Sequence, residues 1–330
     1  MAMMLNELLE GWNGEVAPVQ LSGISLDNRD IEPGEAFVAV QGQVGHGLDY
    51  AHSAVAAGAV AVIHDGRKPV QQLDVPVVEV PGLGDKLGEL ASRYYAAPSE
   101  QMTIAGVTGT NGKTSVAHFL AQSWQRVYGK AGMVGTLGYG SVGRLQRGAH
   151  TTPDALRLQH VLSDCLKADI ERLAMEVSSH ALAQQRCQTV QFDAAIFTNL
   201  SRDHLDYHHD MANYAAAKRL LFTEYAPSFA IINYDDEYGR QWFGELNGGM
   251  QMLSFGLQQG AELRADIRSM DIDGMTIRID GPWGSEEVHT CLLGEFNASN
   301  LLATAGTLAL LGMPWHRVLH QVELMQPVPG

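Results

Sequence analysis

Cysteine is scarce: the 330 residues contain three, Cys165, Cys187 and Cys291. Three cannot build a disulfide framework, and none is spaced as C-x-x-C. That argues against a cysteine zinc site and for a reducing compartment. Long apolar runs are missing too. The longest, around Ala54–Ile63, falls far short of the roughly 20 residues that span a bilayer. Basic residues are few, with Lys+Arg 22 against Asp+Glu 37 and a formal charge of −15. Such a balance opposes wrapping a nucleic-acid backbone or lying on an anionic membrane, but it permits a local cationic pocket. No internal repeat or low-complexity tract is present. The opening MAMMLNELLEGW has no basic flank of the targeting kind. Leu5, Leu8, Leu9 and Trp12 sit at helical spacing and predict a short amphipathic helix. A soluble, cytoplasmic monomer with no nucleic-acid or membrane partner is expected.

What is abundant is core material: 45% of residues are aliphatic, aromatic or Cys, and 18% are charged. At roughly 100–200 residues per domain, two domains follow. Residues 1–100 read as one small α/β unit. Phe37–Val40 is a buried strand leading into a Gly-rich loop, QGQVGHG. A helix over Tyr50–Ala57, strands at Ala59–Ile63 and Val75–Val80, and a helix through Leu87, Leu90 and Tyr94 complete it. Pro98-Ser99-Glu100 is the predicted linker. Residues 101–330 read as a second α/β unit. Apolar runs at Met102–Val107, Leu173–Val177, Ala194–Thr198 and Phe229–Asn233 each precede helical sequence, the pattern of a mostly parallel sheet with helices on both faces. Ala265–Met270, Met275–Asp280 and Val288–Leu293 are separated by Asp273-Gly274 and Gly281-Pro282, which predicts an antiparallel appendage. A helix from about Ala298 to Leu311 follows, and nothing after it reads as a closing element.

The strongest chemical signal is TIAGVTGTNGKTS, Thr103 to Ser115. A strand enters a Gly-rich turn, and the turn enters a helix with an apolar stripe of Val116, Phe119, Leu120, Trp124 and Val127. Gly109 and Gly112 allow the backbone to wrap an anion, with N–H groups turned inward at the helix N-terminus. Lys113 can reach the β and γ phosphates, and the Thr114 hydroxyl can bind magnesium. A strict G-x-x-x-x-G-K-T would place glycine at 107, where Val107 stands, so this is a variant phosphate loop. No Asn-Lys-x-Asp guanine reader is present, which favours ATP over GTP.

Two later strand ends carry further candidates. Glu176 closes the apolar run RLAMEV and either ligates a metal or caps the next helix through Ser178 and Ser179. Asp203, His204, Asp206, His208 and His209 follow Ala194–Thr198. His204 can complete a metal site, whereas His208 and His209 read as ordinary surface residues. Lys218 shares a helix face with Tyr214 and Leu221 and is either snorkelling or partly desolvated. Desolvation would supply a neutral amine able to form a carbamate with carbon dioxide.

Taken together, TGTNGKTS at 108–115, HTTP at 150–153, MEVSSHAL at 175–182, TNLSRDHLDYH at 198–208, YAAAKRLLF at 214–222 and GEFNASNLLAT at 294–304 resemble the Mur ligase family of ATP-dependent amide-forming enzymes. SLDNRDIEPGEAFVAVQG at 25–42 resembles that family's UDP-binding domain. The resemblance implies a small N-terminal α/β UDP-binding domain and a central phosphate-loop ATPase domain. It also implies that a C-terminal ligase domain, which in the family follows a segment like PVPG, is absent here. ATP and two Mg2+ ions are the implied cofactors. Gly109, Thr110, Asn111, Gly112, Lys113, Thr114 and Ser115 would hold the phosphates, and Asn300 would approach the adenine. Thr114 and Glu176 would hold one metal; His204 and a carbamate on Lys218 would hold the other. Lys113, Glu176, His204 and Lys218 are thus the implied catalytic residues. Leu26 and Asn28 would contact uridine, with Gln43, Val44 and Gly45 nearby. His150, Thr151, Thr152, Ser178, Gln184 and Arg186 fall to the sugar–peptide portion. Asn28 stands where serine is more usual, and His150 where asparagine is.

The implied substrates are UDP-N-acetylmuramoyl-L-alanyl-D-glutamate and a diamino acid, either lysine or meso-diaminopimelate. The implied chemistry runs through an acyl phosphate, whose displacement by the amine forms the amide. Two alternatives stand beside it. The chain is a fragment that binds the UDP-linked dipeptide and ATP without completing ligation, or it is a related enzyme. SLDNR…FVAVQG argues against a folylpolyglutamate synthase, and MEVSSHAL with SRDHLDYH argues against the ligase that adds the last dipeptide.

Overall fold

A computed structural model of the chain describes residues 2–42, 45–66, 72–148, 150–246 and 249–329. It divides into two compact units. The first comprises Met1–Pro98, Asp154–Ser163 and Gln185–Thr189; the second comprises Ser99–Pro153, Asp164–Gln184 and Val190–Gly330. The two later segments of the first unit have no counterpart in the sequence-based division at residue 100. Their residues pack locally with the first hundred. Leu156 joins the apolar cluster of Leu8, Leu90 and Tyr94, His160 stacks on Tyr95, and the Thr189 hydroxyl donates to the Gly88 carbonyl.

In the first unit, β1 (Met3–Met4) and β2 (Gln20–Leu21) form a two-stranded ribbon around α1 (Leu5–Leu8). The amphipathic helix expected over residues 5–12 is thus a single turn. Leu5, Leu8 and Leu9 are buried as their spacing predicts, but the following EGWNG leaves the helix. Trp12 instead lies under the Arg93 guanidinium. A four-stranded parallel sheet follows in the order β3 (Gly23–Ser25), β4 (Glu35–Ala39), β5 (Ala61–His64) and β6 (Val77–Glu79). Crossovers include α2 (Ala51–Ala57), and α3 (Leu87–Tyr95) closes the unit. Pro76 lies outside β6 yet accepts a bond from the Val62 amide through its carbonyl, the one ladder group proline retains.

The second unit is built on a ten-stranded sheet. In chain order its elements are β7 (Thr103–Thr108), α4 (Lys113–Tyr128), β8 (Gly132–Gly135), β9 (Gly138–Ser141), the end of α5 (Ala155–Lys167, which up to Ser163 belongs to the first unit), β10 (Arg172–Glu176), α6 (Ser179–Ala183) and β11 (Ala194–Phe197). Then come α7 (Leu205–His208), α8 (Met211–Thr223), β12 (Phe229–Asn233), α9 (Glu237–Glu245), β13 (Gln251–Gly256), β14 (Leu263–Asp271), β15 (Gly274–Gly281), β16 (Gly284–Thr290), α10 (Glu295–Leu310) and α11 (Trp315–Glu323). Spatially the strands run β16-β15-β14-β13-β12-β11-β7-β10-β8-β9. β7 pairs in parallel with β10 on one side and β11 on the other. Strands following β7 in the chain are added first on one side of it and then, from β11, on the other, which makes the carboxyl end of β7 the topological switch point, where open α/β sheets bind ligands.

The expected antiparallel strands β14, β15 and β16 belong to the same unit, at one end of its sheet. β14 pairs in parallel with β13 before turning into β15, so they extend the main sheet. Val116, Phe119, Leu120 and Trp124 are buried along α4 as expected. At about 1.5–3 kcal/mol for each large apolar side chain removed from water, that stripe anchors the helix whose first turn carries the phosphate loop. A helix, α11, also follows Leu311, contrary to expectation. Trp315, Val318, Leu319 and Val322 carry its i, i+3, i+4, i+7 stripe, and the last three are buried.

Candidate active site

The loop between β7 and α4 is held open by its neighbours. Gly109 has φ +148° and Gly112 has φ +83°, backbone that side-chain-bearing residues rarely adopt. The segment after β11 braces the loop from outside. The Asn199 carbonyl accepts from the Thr110 amide at 2.8 Å, and Asn199 Oδ1 accepts from the Asn111 amide at 3.0 Å. The Thr198 hydroxyl donates to the Asn111 carbonyl at 2.6 Å. Asn300, on α10, backs onto Gly112: a Cβ there would lie 2.5 Å from Asn300 Oδ1.

Both lysines of interest converge on one carbonyl. Lys113 Nζ donates to the Gly109 oxygen at 2.9 Å and to Thr110 O at 2.7 Å. Lys218 Nζ donates to the same Gly109 oxygen at 2.7 Å. Lys218 does not snorkel; it is 1% exposed. Burial, then the neighbouring Lys113 charge, pushes its pKa down to about 6 against the pull of Asp203. Burial also lowers the Lys113 pKa, opposed by Glu176 and Asp203. Lys218 is therefore a neutral amine near pH 7.

Glu176 closes β10 and is also 1% exposed. Its Oε1 accepts from the Thr136 amide at 2.8 Å, and its Oε2 accepts from the hydroxyls of Thr114 at 3.0 Å and Thr136 at 3.2 Å. Burial raises its pKa, and the Thr136 amide, Thr114 and Lys113 work against that rise. The cap of α6 is the Ser178 side chain, which accepts from Ala181 N, so the alternative capping role for Glu176 is already filled. Behind it, the buried Thr152 hydroxyl donates to the Glu176 carbonyl and accepts from the Ser178 amide.

A cavity of about 260 Å³ joins these groups. Of the residues singled out from sequence, Thr110, Asn111, Gly112, Lys113, Thr114, Thr151, Glu176, Ser178, His204 and Lys218 line it. Gly109, Ser115, Asn300, His150, Thr152 and Gln184 do not, although Gly109, Thr152 and Asn300 touch residues that do. Thr136, Ser179 and Tyr214 also line it. Thr136 carries no signal of its own in the Gly-rich GMVGTLGYG; Gly132–Gly135 is a strand that delivers it to the sheet's carboxyl edge. His204 is the left-handed N-cap of α7, with its side chain about half exposed. His208 corrects the surface expectation. It is 6% exposed, its Nε2 lies 2.9 Å from the Ser179 hydroxyl, and its ring packs against Tyr214. His209 is exposed as expected. Gln184 donates to the Tyr207 hydroxyl.

Among the described residues, no group of three or more His, Cys, Asp or Glu is placed to hold a metal ion. The donors present instead are a threonine hydroxyl and a carboxylate beside a phosphate loop. That set suits magnesium, which takes one or two carboxylates and completes its octahedron with phosphate oxygens and water. In the first unit, Leu26 is half-buried, Asn28 Nδ2 donates to the Ser53 hydroxyl at 3.0 Å, and the Gly45 carbonyl accepts from Gly42 N. Gln43 and Val44 lie outside the described residues. Arg186 groups with the first unit, within Gln185–Thr189. No helix among the described residues is long and apolar enough to cross a membrane.

Comparison with known proteins agrees with this construction. Residues 107–308 match the Mur ligase middle domain, and residues 20–95 match the Mur ligase family catalytic domain. The chain is 42% identical to a UDP-N-acetylmuramoyl-L-alanyl-D-glutamate–2,6-diaminopimelate ligase of Alkalilimnicola ehrlichii, over 99% of this chain and 69% of the relative. It is 38% identical to the protein of the same name from Coxiella burnetii, over 99% of this chain and 68% of the relative. A solved structure of a ligase of that name superimposes with a TM-score of 0.85 at 30% identity, covering 100% of this chain and 68% of the other. With its phosphate loop, the Thr114–Glu176 pair and a buried lysine all falling inside the matched middle domain, this chain belongs to the Mur ligase family.

Proposed function

We propose that the chain works as an ATP-dependent ligase of peptidoglycan synthesis, extending UDP-N-acetylmuramoyl-L-alanyl-D-glutamate by a diamino acid. The relatives are named for 2,6-diaminopimelate, and we take that amine as the second substrate. The observation that carries the reading is the cavity that unites the phosphate loop, Glu176 and Lys218 at one switch point.

In the first step the D-glutamyl carboxylate attacks the γ-phosphorus of ATP. A carboxylate–phosphorus bond forms, the bond to the β–γ bridging oxygen breaks, and ADP leaves. The amine then displaces phosphate from the acyl phosphate, forms the amide and loses a proton. Two anions must meet in the first step, so positive charge has to stand between them. Lys113 supplies one cation, and the N-terminal end of the α4 dipole supplies partial charge. Thr114 and Glu176 would hold one Mg2+, and His204 with a carbamate on Lys218 a second; when bound, these ions neutralise the phosphates. Burial keeps Lys218 unprotonated, so its nitrogen can bond to the carbon of CO2 and release one proton. Asn300 would approach the adenine. Leu26, Asn28 and the Gln43–Gly45 loop would receive uridine. Thr151, Thr152, Ser178, Gln184 and Arg186 would serve the sugar–peptide portion. Three free cysteines accord with a cytoplasmic setting.

Titration calorimetry of the chain with UDP-N-acetylmuramoyl-L-alanyl-D-glutamate, with and without a non-hydrolysable ATP analogue and Mg2+, tests this. Saturable binding of both ligands is expected; binding of the ATP analogue alone would reduce the chain to a generic phosphate-loop protein.

A further inference from the structure

In the first unit, β3, β4 and β5 are parallel neighbours, so their carboxyl ends share one edge. Leu26 and Asn28 follow β3 at that edge, and the loop carrying Gly45 leaves β4 there. The stem of this loop is narrow. Gln41 and His46 form an antiparallel bridge, the Gly42 amide donates to the Gly45 carbonyl, and the Gly47 amide donates to the Val40 carbonyl.

A single carboxylate ties both limbs of that stem to the end of β5. Asp65 Oδ1 lies 2.7 Å from His46 Nε2 on the outgoing limb, and Asp65 Oδ2 accepts from the Gln41 amide at 3.3 Å on the incoming limb. His46 Nδ1 accepts from the Leu48 amide at 3.1 Å, which places the ring proton on Nε2, directed at Asp65. The side chains are 6% and 3% exposed. A charge-assisted bond shielded from water this well is costly to break, and neither residue lines the phosphate cavity.

We propose that the buried His46–Asp65 pair is a positioning device for the uridine end of the substrate, clamping the loop stem so that the Gly42 and Gly45 backbones keep the form that meets the nucleoside. This rests on the reading of the first unit as the UDP-binding part. Asp65→Asn keeps size and shape, but its amide offers one acceptor oxygen where two N–H donors must be received. His46→Gln removes the ring.

The test is calorimetric titration of the full chain and both variants with UDP, and separately with Mg2+ and a non-hydrolysable ATP analogue. Thermal unfolding confirms that the variants fold. UDP affinity should fall tenfold or more in each variant and no further in the double variant, with ATP-analogue affinity within twofold of wild type. A folded Asp65→Asn chain with unchanged UDP affinity, or with both ligands weakened alike, overturns the positioning role and leaves the UDP reading intact. A wild-type chain that binds no UDP removes the UDP reading itself, and the clamp with it.

Discussion

Lys218 pays for its position in stability. It is protonated in the unfolded chain up to its ordinary 10.5 but in the folded chain only below about 6. Between those values the unfolded state binds the extra proton, so stability rises with pH across that window and the penalty is full below it. Lys218→Met, studied in CO2-depleted buffer, should therefore unfold at a higher temperature than wild type at pH 7. The gap should narrow as pH climbs towards 10, and a constant gap would count against a neutral buried amine. The same residue should be needed for turnover. Lys218→Ala is expected to lose ligation and to recover part of it with short carboxylic acids, which replace the carbamate oxygens; full activity without rescue would end the carbamate proposal. Sequence spacing placed Lys218 on a face with Tyr214 and Leu221, but whether that face was dry depended on α6, which contacts α8 from a distant part of the chain. His208 was misread for the same reason, since its partner Ser179 lies 29 residues away.

At the scale of elements, strands with continuous apolar runs were readable, and those rich in glycine or glutamine were not. β7, β10, β11 and β12 lie within one residue of their expected bounds, because apolar runs such as MTIAGV next to helical patterns leave few options. β8, β9 and β13 are strands only because neighbours complete their ladders. The phosphate loop was legible because its chemistry is local; Thr136 was not, because it reaches Glu176 through β8. The loop's backbone makes its own prediction. Gly112→Ala must hold an alanine at φ +83° and crowd Asn300. It should cost about 1–3 kcal/mol of stability and weaken ATP-analogue binding, read by thermal unfolding and titration; an unchanged chain would show that the loop relaxes freely. α11 offers a contrasting case. Val318→Ala in its buried face should destabilise by about 1–3 kcal/mol in denaturant unfolding while leaving nucleotide affinity within twofold.

Over the whole molecule, a formal charge of −15 looks unsuited to an enzyme that brings together a nucleotide sugar, a carboxylate and a triphosphate. Charges beyond about 8 Å are largely screened at physiological ionic strength, so the local field at the loop decides. That field comes from Lys113 and the α4 N-terminus, and in the proposed reading also from a magnesium on Thr114 and Glu176. The chain spans about two thirds of the length of the relatives it matches.

We propose that the turn from Gly109 to Lys113 grips a triphosphate beside a magnesium held by Thr114 and Glu176. Titrating a non-hydrolysable ATP analogue into wild type, Lys113→Ala and Thr114→Val, each in Mg2+ and in EDTA, tests it most directly. Wild type should bind more tightly in Mg2+, and Lys113→Ala should lose roughly 10- to 100-fold in affinity, as expected for a charged hydrogen-bond donor. The Mg2+ advantage should be erased in Thr114→Val. Wild-type affinity that ignores Mg2+, or Lys113→Ala binding as tightly as wild type, would contradict it.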